Sequence, residues 1–279
     1  MPSVTTSKKI KKGIIYAVLG AGSAIFILPL FWQISTSLKV VEQLFVFPPI
    51  WIPDPLAWEN YPRAMTMVPF GTYFINSSIV TSLSVIGRIV SASIIAYSFA
   101  RLRWPGRDFF FIIVLATLMI PFQVLMIPLF LIFRRIGWIN TFYPMIVPTW
   151  FGGAFFIFLL RQFFKTVPFE LSDAARIDGC SELGIFLKII LPLAKPALAV
   201  VALFEFFWTW NDFISPLIYL NSQEKYTVAI GLQQFFGSHG ADWGALMAAA
   251  TVILIPSVLL FGFTQRYFIE GISLTGIKR

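Results

Sequence analysis

The chain has 279 residues, of which 58% are hydrophobic, 17% aromatic and only 12% charged. A soluble globular chain carries about 25% charged residues, so the composition excludes an ordinary soluble domain and indicates a polytopic membrane protein. The net charge of +8 does not indicate nucleic acid, because the basic residues cluster at alternate ends of apolar segments, where they set membrane orientation.

Residues 1–12 are polar and include Lys8, Lys9, Lys11 and Lys12, and a 22-residue apolar run, Gly13 to Ile34, follows. A signal-peptide core runs only about 7–15 residues, whereas crossing a bilayer takes about 20. This run is therefore expected to be a retained first helix with its N-terminus in the cytoplasm. Residues 39–71 are Pro-rich, with Phe45, Phe47, Trp51, Trp58 and Tyr61 suited to a membrane interface, and read as an exterior segment. Helix two is expected from Tyr73 to Ala100. Its Ser77, Thr81, Ser84, Arg88 and Ser91 are spaced 4, 3, 4, 3 and share one face. After a basic turn, Arg101 to Asp108, helix three runs from Phe109 to Phe133, interrupted by Pro121 and Pro128. Such prolines free backbone carbonyls that protein or cavity water must satisfy. An exterior turn, Arg134 to Thr141, leads to helix four, Phe142 to Phe164.

The most polar part of the second half lies between two apolar runs, from Pro168 to Pro196 (166–196 with its flanks). It carries Glu170, Asp173, Arg176, Asp178, Glu182 and Lys188 and is too charged to span. Pro168 opens a helix, with Glu170 and Asp173 near its positive end. Leu171, Ala174 and Ala175 share one face. Gly179 sits where the helix should stop and turn. A second short helix places Leu183, Phe186, Leu187 and Ile190 along one face, and Pro192 and Pro196 close it. The whole reads as a polar-surfaced helix–turn–helix elbow suited to transmit force to a soluble partner. Helix five then runs from Ala197 to Leu220 with Glu205, Trp208, Trp210, Asn211 and Asp212. An exterior loop, Asn221 to Asp242, precedes helix six, Trp243 to Gln265, and an interior tail, 266–279.

The expected fold is a single all-α transmembrane bundle of six spans, N-in and C-in. On that topology fifteen lysines and arginines fall on interior segments and five on exterior ones, with Arg88 inside a span. The bias places the elbow in the cytoplasm. No internal repeat supports an inverted-repeat transporter. No phosphate-cradling Gly-rich loop, zinc-type Cys/His cluster or Gly-x-Ser-x-Gly elbow is present. The lone Cys180 reads as a small filler beside the elbow glycine, and His239 as a residue of a solvated loop.

Asp173-Ala174-Ala175, Asp178-Gly179-Cys180, Leu191-Pro192 and Pro196 resemble, at matching spacing, the EAA loop of membrane subunits of bacterial binding-protein-dependent ABC importers. Asp173 stands where that family has Glu, and Cys180 where it has Ala. Phe47-Pro48-Pro49-Ile50-Trp51, Pro121-Phe122-Gln123, Ile127-Pro128-Leu129-Phe130 and Trp210-Asn211-Asp212-Phe213 are similar to family patterns too. The likeness covers nearly the whole chain, through the tail containing Gly271, and points to the carbohydrate-uptake, maltose-transporter-like subgroup. It implies the type I importer fold and a multi-pass protein of the bacterial or archaeal inner membrane. This chain would be a non-enzymatic permease that forms half of a pore with a second permease. ATP and Mg belong to two partner ATPases, and an extracytoplasmic solute-binding protein delivers the substrate. It also implies that Leu171, Ala174 and Ala175 fill a cleft on the ATPase, that Glu170, Asp173 and Asp178 pair with basic residues at its rim, and that Gly179 permits the turn. The tail Gly271 to Arg279 would reach the ATPases, and the loops 39–71 and 221–242 the binding protein.

Arg88, Glu205 and Asp212 lie within expected spans, where each charge costs at least ~2.5–3.5 kcal/mol. They should face the protein interior or a wet cavity. Arg88 is expected to pair with Glu205 or Asp212. The stripe Ser77, Thr81, Ser84 and Arg88 with Glu205, Trp208, Asn211 and Asp212 either lines a translocation pathway or locks helices or subunits together. Trp208, Trp210 and Tyr219 offer faces on which a sugar could stack. The reading from another class is an ion-coupled secondary transporter or channel with Arg88 and Asp212 as coupling pair. A membrane-embedded enzyme lacks a nucleophile–base or metal-ligand grouping.

Overall fold

The structure is a computed structural model describing residues 4–237 and 240–276, with side chains described from 11 to 236 and from 241 to 265. His239 and the side chains of the tail lie outside the described residues. In chain order the principal helices are α1 (Val4–Ser37), α2 (Phe70–Arg101), α3 (Arg107–Ala116), α4 (Phe122–Arg135), α5 (Ala154–Thr166), α6 (Phe169–Ile177), α7 (Glu182–Ile185), α8 (Lys195–Trp210), α9 (Ile214–Tyr219) and α10 (Trp243–Gly276). Four stretches are long and apolar enough to cross a membrane: Lys11–Ser37, Phe70–Arg101, Tyr143–Thr166 and Trp243–Gln265. Two bent pairs raise the number to six, Arg107–Met119 with Phe122–Arg135 at 97° and Glu182–Leu193 with Lys195–Trp210 at 78°.

Three expected spans are not continuous helices. The third breaks at Pro121 alone. The residue before a proline is driven to extended backbone, and Ile120 adopts ψ 110°. Pro128 stays inside α4. The fourth starts as one turn, Tyr143–Ile146, and a 3-10 stretch, Val147–Phe151, and becomes α-helical only after Gly152 and Gly153. The fifth begins at Lys195 and ends at Trp210. The chain turns through Asn211–Phe213, where the Asp212 carboxylate accepts the Ser215 N–H at 3.1 Å, before α9.

The described residues form two compact units, one drawn from residues 4–70 and 232–254 and the other from 71–231 and 255–276. In the first, buried Asn60 donates to the carbonyls of Ser37 and Lys39 at 3.0 and 2.9 Å, and Arg63 pairs with Asp242 at 3.0 Å. Lys39 is 1% exposed, and its ammonium lies 3.7 Å from the Trp32 ring centroid. Nζ has no hydrogen-bond partner among the described residues, and burial pushes its pKa down.

The second unit has the inverted amphipathicity of a protein in lipid. Along α2, Ile75, Ile79, Leu83, Ile86, Val90 and Ile94 are exposed, while Ser77, Thr81 and Ser84 are buried. Ala92, Ala96 and Ala100, four apart, line the inward face. Small residues of this kind let helices approach closely where lipid supplies no hydrophobic drive. Against them pack Phe156, Leu160 and Phe164 of α5, Ile185, Phe186 and Ile190 after the elbow turn, and Val201 of α8.

Candidate functional site

The elbow follows from its caps. α6 ends on Gly179, whose φ of +78° is the left-handed conformation that favours glycine. The Cys180 N–H donates to the Ala175 carbonyl at 2.9 Å and the Gly179 N–H to that of Arg176 at 3.0 Å, satisfying carbonyls the helix end would orphan. The Ser181 hydroxyl then caps α7 by accepting the Gly184 N–H. Arg176 crosses the turn. Its Nε donates to Glu182 at 2.7 Å and its Nη1 to Asp173 at 2.6 Å. The hydrogen bond to Glu182, together with that to Asp173, raises the Arg176 pKa.

Of the residues expected to meet an ATPase, Glu170, Leu171, Asp173, Ala174, Asp178 and Gly179 are exposed, and Ala175 is half-buried against the core. Asp173 is already engaged by Arg176. Ile177, which sequence reasoning passed over, is the most exposed large apolar residue of the elbow at 87%. The expected face of the second elbow helix is split. Phe186 and Ile190 are buried with Ile185, whereas Leu183 and Leu187 are exposed. A π-helical stretch, Phe186–Ile190, shifts the helical phase and separates them.

The membrane charges resolve the pairing. Arg88 Nε donates to Glu205 Oε2 at 2.9 Å and Nη2 to Oε1 at 3.4 Å, a forked guanidinium–carboxylate pair. Its guanidinium also lies 5.3 Å from the Phe156 ring centroid. Room comes from Gly153, where a Cβ would stand 2.5 Å from Arg88 Nη1. Asp212 takes no part: its carboxylate accepts the Ser215 N–H, and the guanidinium of Arg88 pairs with Glu205 instead. The Arg88–Asp212 coupling pair of the ion-driven reading is therefore not formed.

Arg88 and Glu205 border a cavity of about 610 Å³, with Ser77, Thr149, Trp208, Thr209, Asp212, Tyr219 and Thr227 among its lining residues. The buried hydroxyls of Tyr219 and Thr227 have no hydrogen-bond partner among the described residues. Thr81, Ser84 and Asn211 are not in the lining. The Ser84 hydroxyl donates to the Met145 carbonyl at 3.4 Å, and Asn211 donates to the Phe207 carbonyl at 2.9 Å. Ser91 joins helices, donating to the Gly87 carbonyl at 2.7 Å and accepting the Gly152 N–H at 2.9 Å. Trp208 is 53% exposed beside Phe156, while Trp210 is buried and stacks on Phe206. Of the expected stacking rings, Trp208 and Tyr219 thus reach the cavity and Trp210 does not. Among the described residues no group of three or more His, Cys, Asp or Glu is placed to hold a metal ion.

The chain is 38% identical to the arabinooligosaccharides transport system permease protein AraQ of Halalkalibacterium halodurans over 230 residues, 82% of each chain. It is 33% identical to the diacetylchitobiose uptake system permease protein NgcG of Streptomyces coelicolor, across 92% of this chain and 86% of that one. Its fold matches that of a bacterial ABC transporter involved in the import of the acidic polysaccharide alginate. The TM-score is 0.83 at 23% identity, over 96% of this chain and 100% of that one. Residues 88–273, which hold the elbow, Arg88, Glu205 and Asp212, match the model for the inner membrane component of binding-protein-dependent transport systems. By that match and by these identities, the chain belongs to the family of binding-protein-dependent transport system inner membrane components.

Proposed function

We propose that this chain is the permease of an ATP-driven importer for a sugar or related solute, that the cavity beside Arg88–Glu205 is its half of the translocation pathway, and that the elbow is the ATPase-docking surface. The protein is a multi-pass component of the inner membrane, and its family works with a partner ATPase and a solute-binding protein. The observation that carries the docking reading is the division of α6. Glu170, Leu171, Asp173, Ala174 and Ile177 are exposed on one side, with Asp173 held by Arg176, while Ser172 is fully buried on the other. A short helix that leaves Leu171 and Ile177 exposed beside carboxylates has the apolar centre and charged rim of a protein interface. The sugar class follows from the names of the relatives, and the hydroxyls of Ser77, Thr149, Thr209, Tyr219 and Thr227 around the cavity suit a polyhydroxylated solute. The basic bias of the loops supports a cytoplasmic elbow, with 1–12 and 266–279 on the same side. A second permease completes the pore, and residues 39–71 and 221–242 face the binding protein. Copurification from membranes, with crosslinking from Ile177→Cys, tests this. The expected result is a nucleotide-hydrolysing chain linked at residue 177. A purified, active complex with no such chain at the elbow overturns the reading.

A further inference from the structure

Two side chains of α2 hold the elbow from inside the protein. Arg101, the last residue of α2, is 4% exposed. Its Nη1 donates to the Val167 carbonyl at 2.6 Å and that of Phe164 at 3.4 Å, and its Nη2 to the Pro168 carbonyl at 3.0 Å and the Ser172 hydroxyl at 2.7 Å. The guanidinium also sits 4.0 Å from the Phe169 ring centroid. One turn away on α2, the Tyr97 hydroxyl donates to Glu182 at 2.8 Å, which ties in α7 through the residue that Arg176 also holds. Two hydroxyls and one guanidinium therefore fasten both arms of the elbow to the same end of α2.

We propose that Arg101 and Tyr97 form the latch that passes motion of the elbow to the cavity. α2 is one unbroken helix from Phe70 to Arg101 with no proline inside it. Arg88 lies thirteen residues from Arg101 on this helix, about 20 Å along the axis. A tilt of about 10° at the Arg101 end moves Arg88 by roughly 3 Å at that lever length, comparable with its 2.9 Å contact to Glu205. A displacement delivered at α6 is thereby converted into opening or closing of the Arg88–Glu205 pair. The inference rests on the reading of the elbow as the docking surface. The competing role for Arg101 is a cap on the last carbonyls of α5. That role needs Phe164 and Val167 but neither Ser172 nor Tyr97.

Ser172→Ala/Tyr97→Phe removes two hydroxyls, no charge and no carbonyl contact. The test uses the full importer in liposomes with its ATPases, its solute-binding protein and the solute that the binding protein carries. With the latch cut, ATPase copurifies and hydrolyses ATP within about twofold of the unsubstituted complex, while solute delivered per ATP falls about tenfold, the size of an ordinary coupling energy. A delivered-to-hydrolysed ratio within twofold of the unsubstituted complex overturns the latch, and so does a parallel loss of stability and hydrolysis with the ratio intact. Should the double variant not assemble, Ser172→Ala alone decides by the same ratio, with a fall of about threefold expected. Absence of any ATPase from preparations of the unsubstituted chain removes the elbow reading and the latch together. An ATPase present with an unchanged ratio removes the latch alone.

Discussion

Arg88→Gln is the most informative single perturbation, because the structure fixes both what is lost and what restores it. The Arg88 and Glu205 side chains are 15% and 3% exposed and meet through two hydrogen bonds, at 2.9 and 3.4 Å. Removing the guanidinium strands a buried carboxylate, and breaking a buried pair from one side costs about 3–5 kcal/mol. At about 1.4 kcal/mol per tenfold, that is at least a hundredfold loss in the folded ratio. Adding Glu205→Gln removes the stranded charge and leaves two amides able to bond each other, so the double variant should regain most of the loss. The assay is the fraction of detergent-extracted protein that stays monodisperse after stepwise heating, beside the amount assembled in the membrane. A double variant no better than Arg88→Gln alone refutes the energetic coupling of these two residues. Transport by the same pair separates their roles. Recovered assembly with lost transport marks the charges as part of the pathway, and recovery of both marks them as a helix lock.

Gly179→Asp places a side chain at a φ of +78°, at a cost of about 1–2 kcal/mol. It should leave insertion intact while uncoupling transport from hydrolysis, and normal accumulation of substrate by this variant would contradict the role given to the turn. Gly153→Val places a methyl-bearing carbon 2.5 Å from Arg88 Nη1, an overpacking cost of about 1–3 kcal/mol. It should reproduce the thermal defect of Arg88→Gln, and unchanged melting would argue against the close approach. Lys39→Met keeps the packing on Trp32 and removes a buried ammonium, so melting temperature should rise at neutral pH. Burial lowers the Lys39 pKa, so the penalty is full below the folded pKa. It fades as pH climbs toward lysine's ordinary value of about 10.4, and the gain should shrink over that range. A destabilised Lys39→Met would show instead that the cation–ring contact outweighs desolvation.

The reach of the sequence differed with the kind of signal. Apolar runs of span length, the charged elbow, the glycine at its turn and the compensation of Arg88 by a carboxylate were legible, because each follows from a local or pairwise rule. Ser172 and Arg101 were not. Ser172 is an unremarkable polar residue among charged neighbours, and only the burial of one face of α6 distinguishes it from Asp173. Arg101 looked like one more basic residue at the end of a span, and nothing local separates a solvated arginine from one enclosed by four oxygen acceptors. The breaks at Gly152–Gly153 and at Asn211–Phe213 were the largest loss, while at Pro121 the interruption was legible and its angle was not. Summed hydropathy over a window registers that a segment is apolar, not that its axis turns by 97° at Pro121.

Those breaks have one physical explanation, and it bears on function. Phe122 follows the break in the third span, Pro148 and Thr149 lie in the 3-10 opening of the fourth, and Asp212 lies in the turn that ends the fifth, with Ile214 and Ser215 opening α9 after it. All six border the same cavity. Backbone that leaves the helix within a membrane protein frees carbonyls and N–H groups, which lipid cannot satisfy but a polar cavity can. Three interruptions from three different spans meeting at one space are therefore the arrangement expected of a solvated route, and they cluster beside the ion pair whose burial would otherwise be costly. Replacing Asp212 with Leu tests this directly. It removes the acceptor of the Ser215 N–H, a loss of about 1–3 kcal/mol for a group left unbonded. If the turn lines a wet space, water takes over that N–H and the loss of stability stays under about 1 kcal/mol. A full penalty would mean that the space is dry, and a dry space beside Glu205 would be difficult to reconcile with passage of a hydrophilic solute.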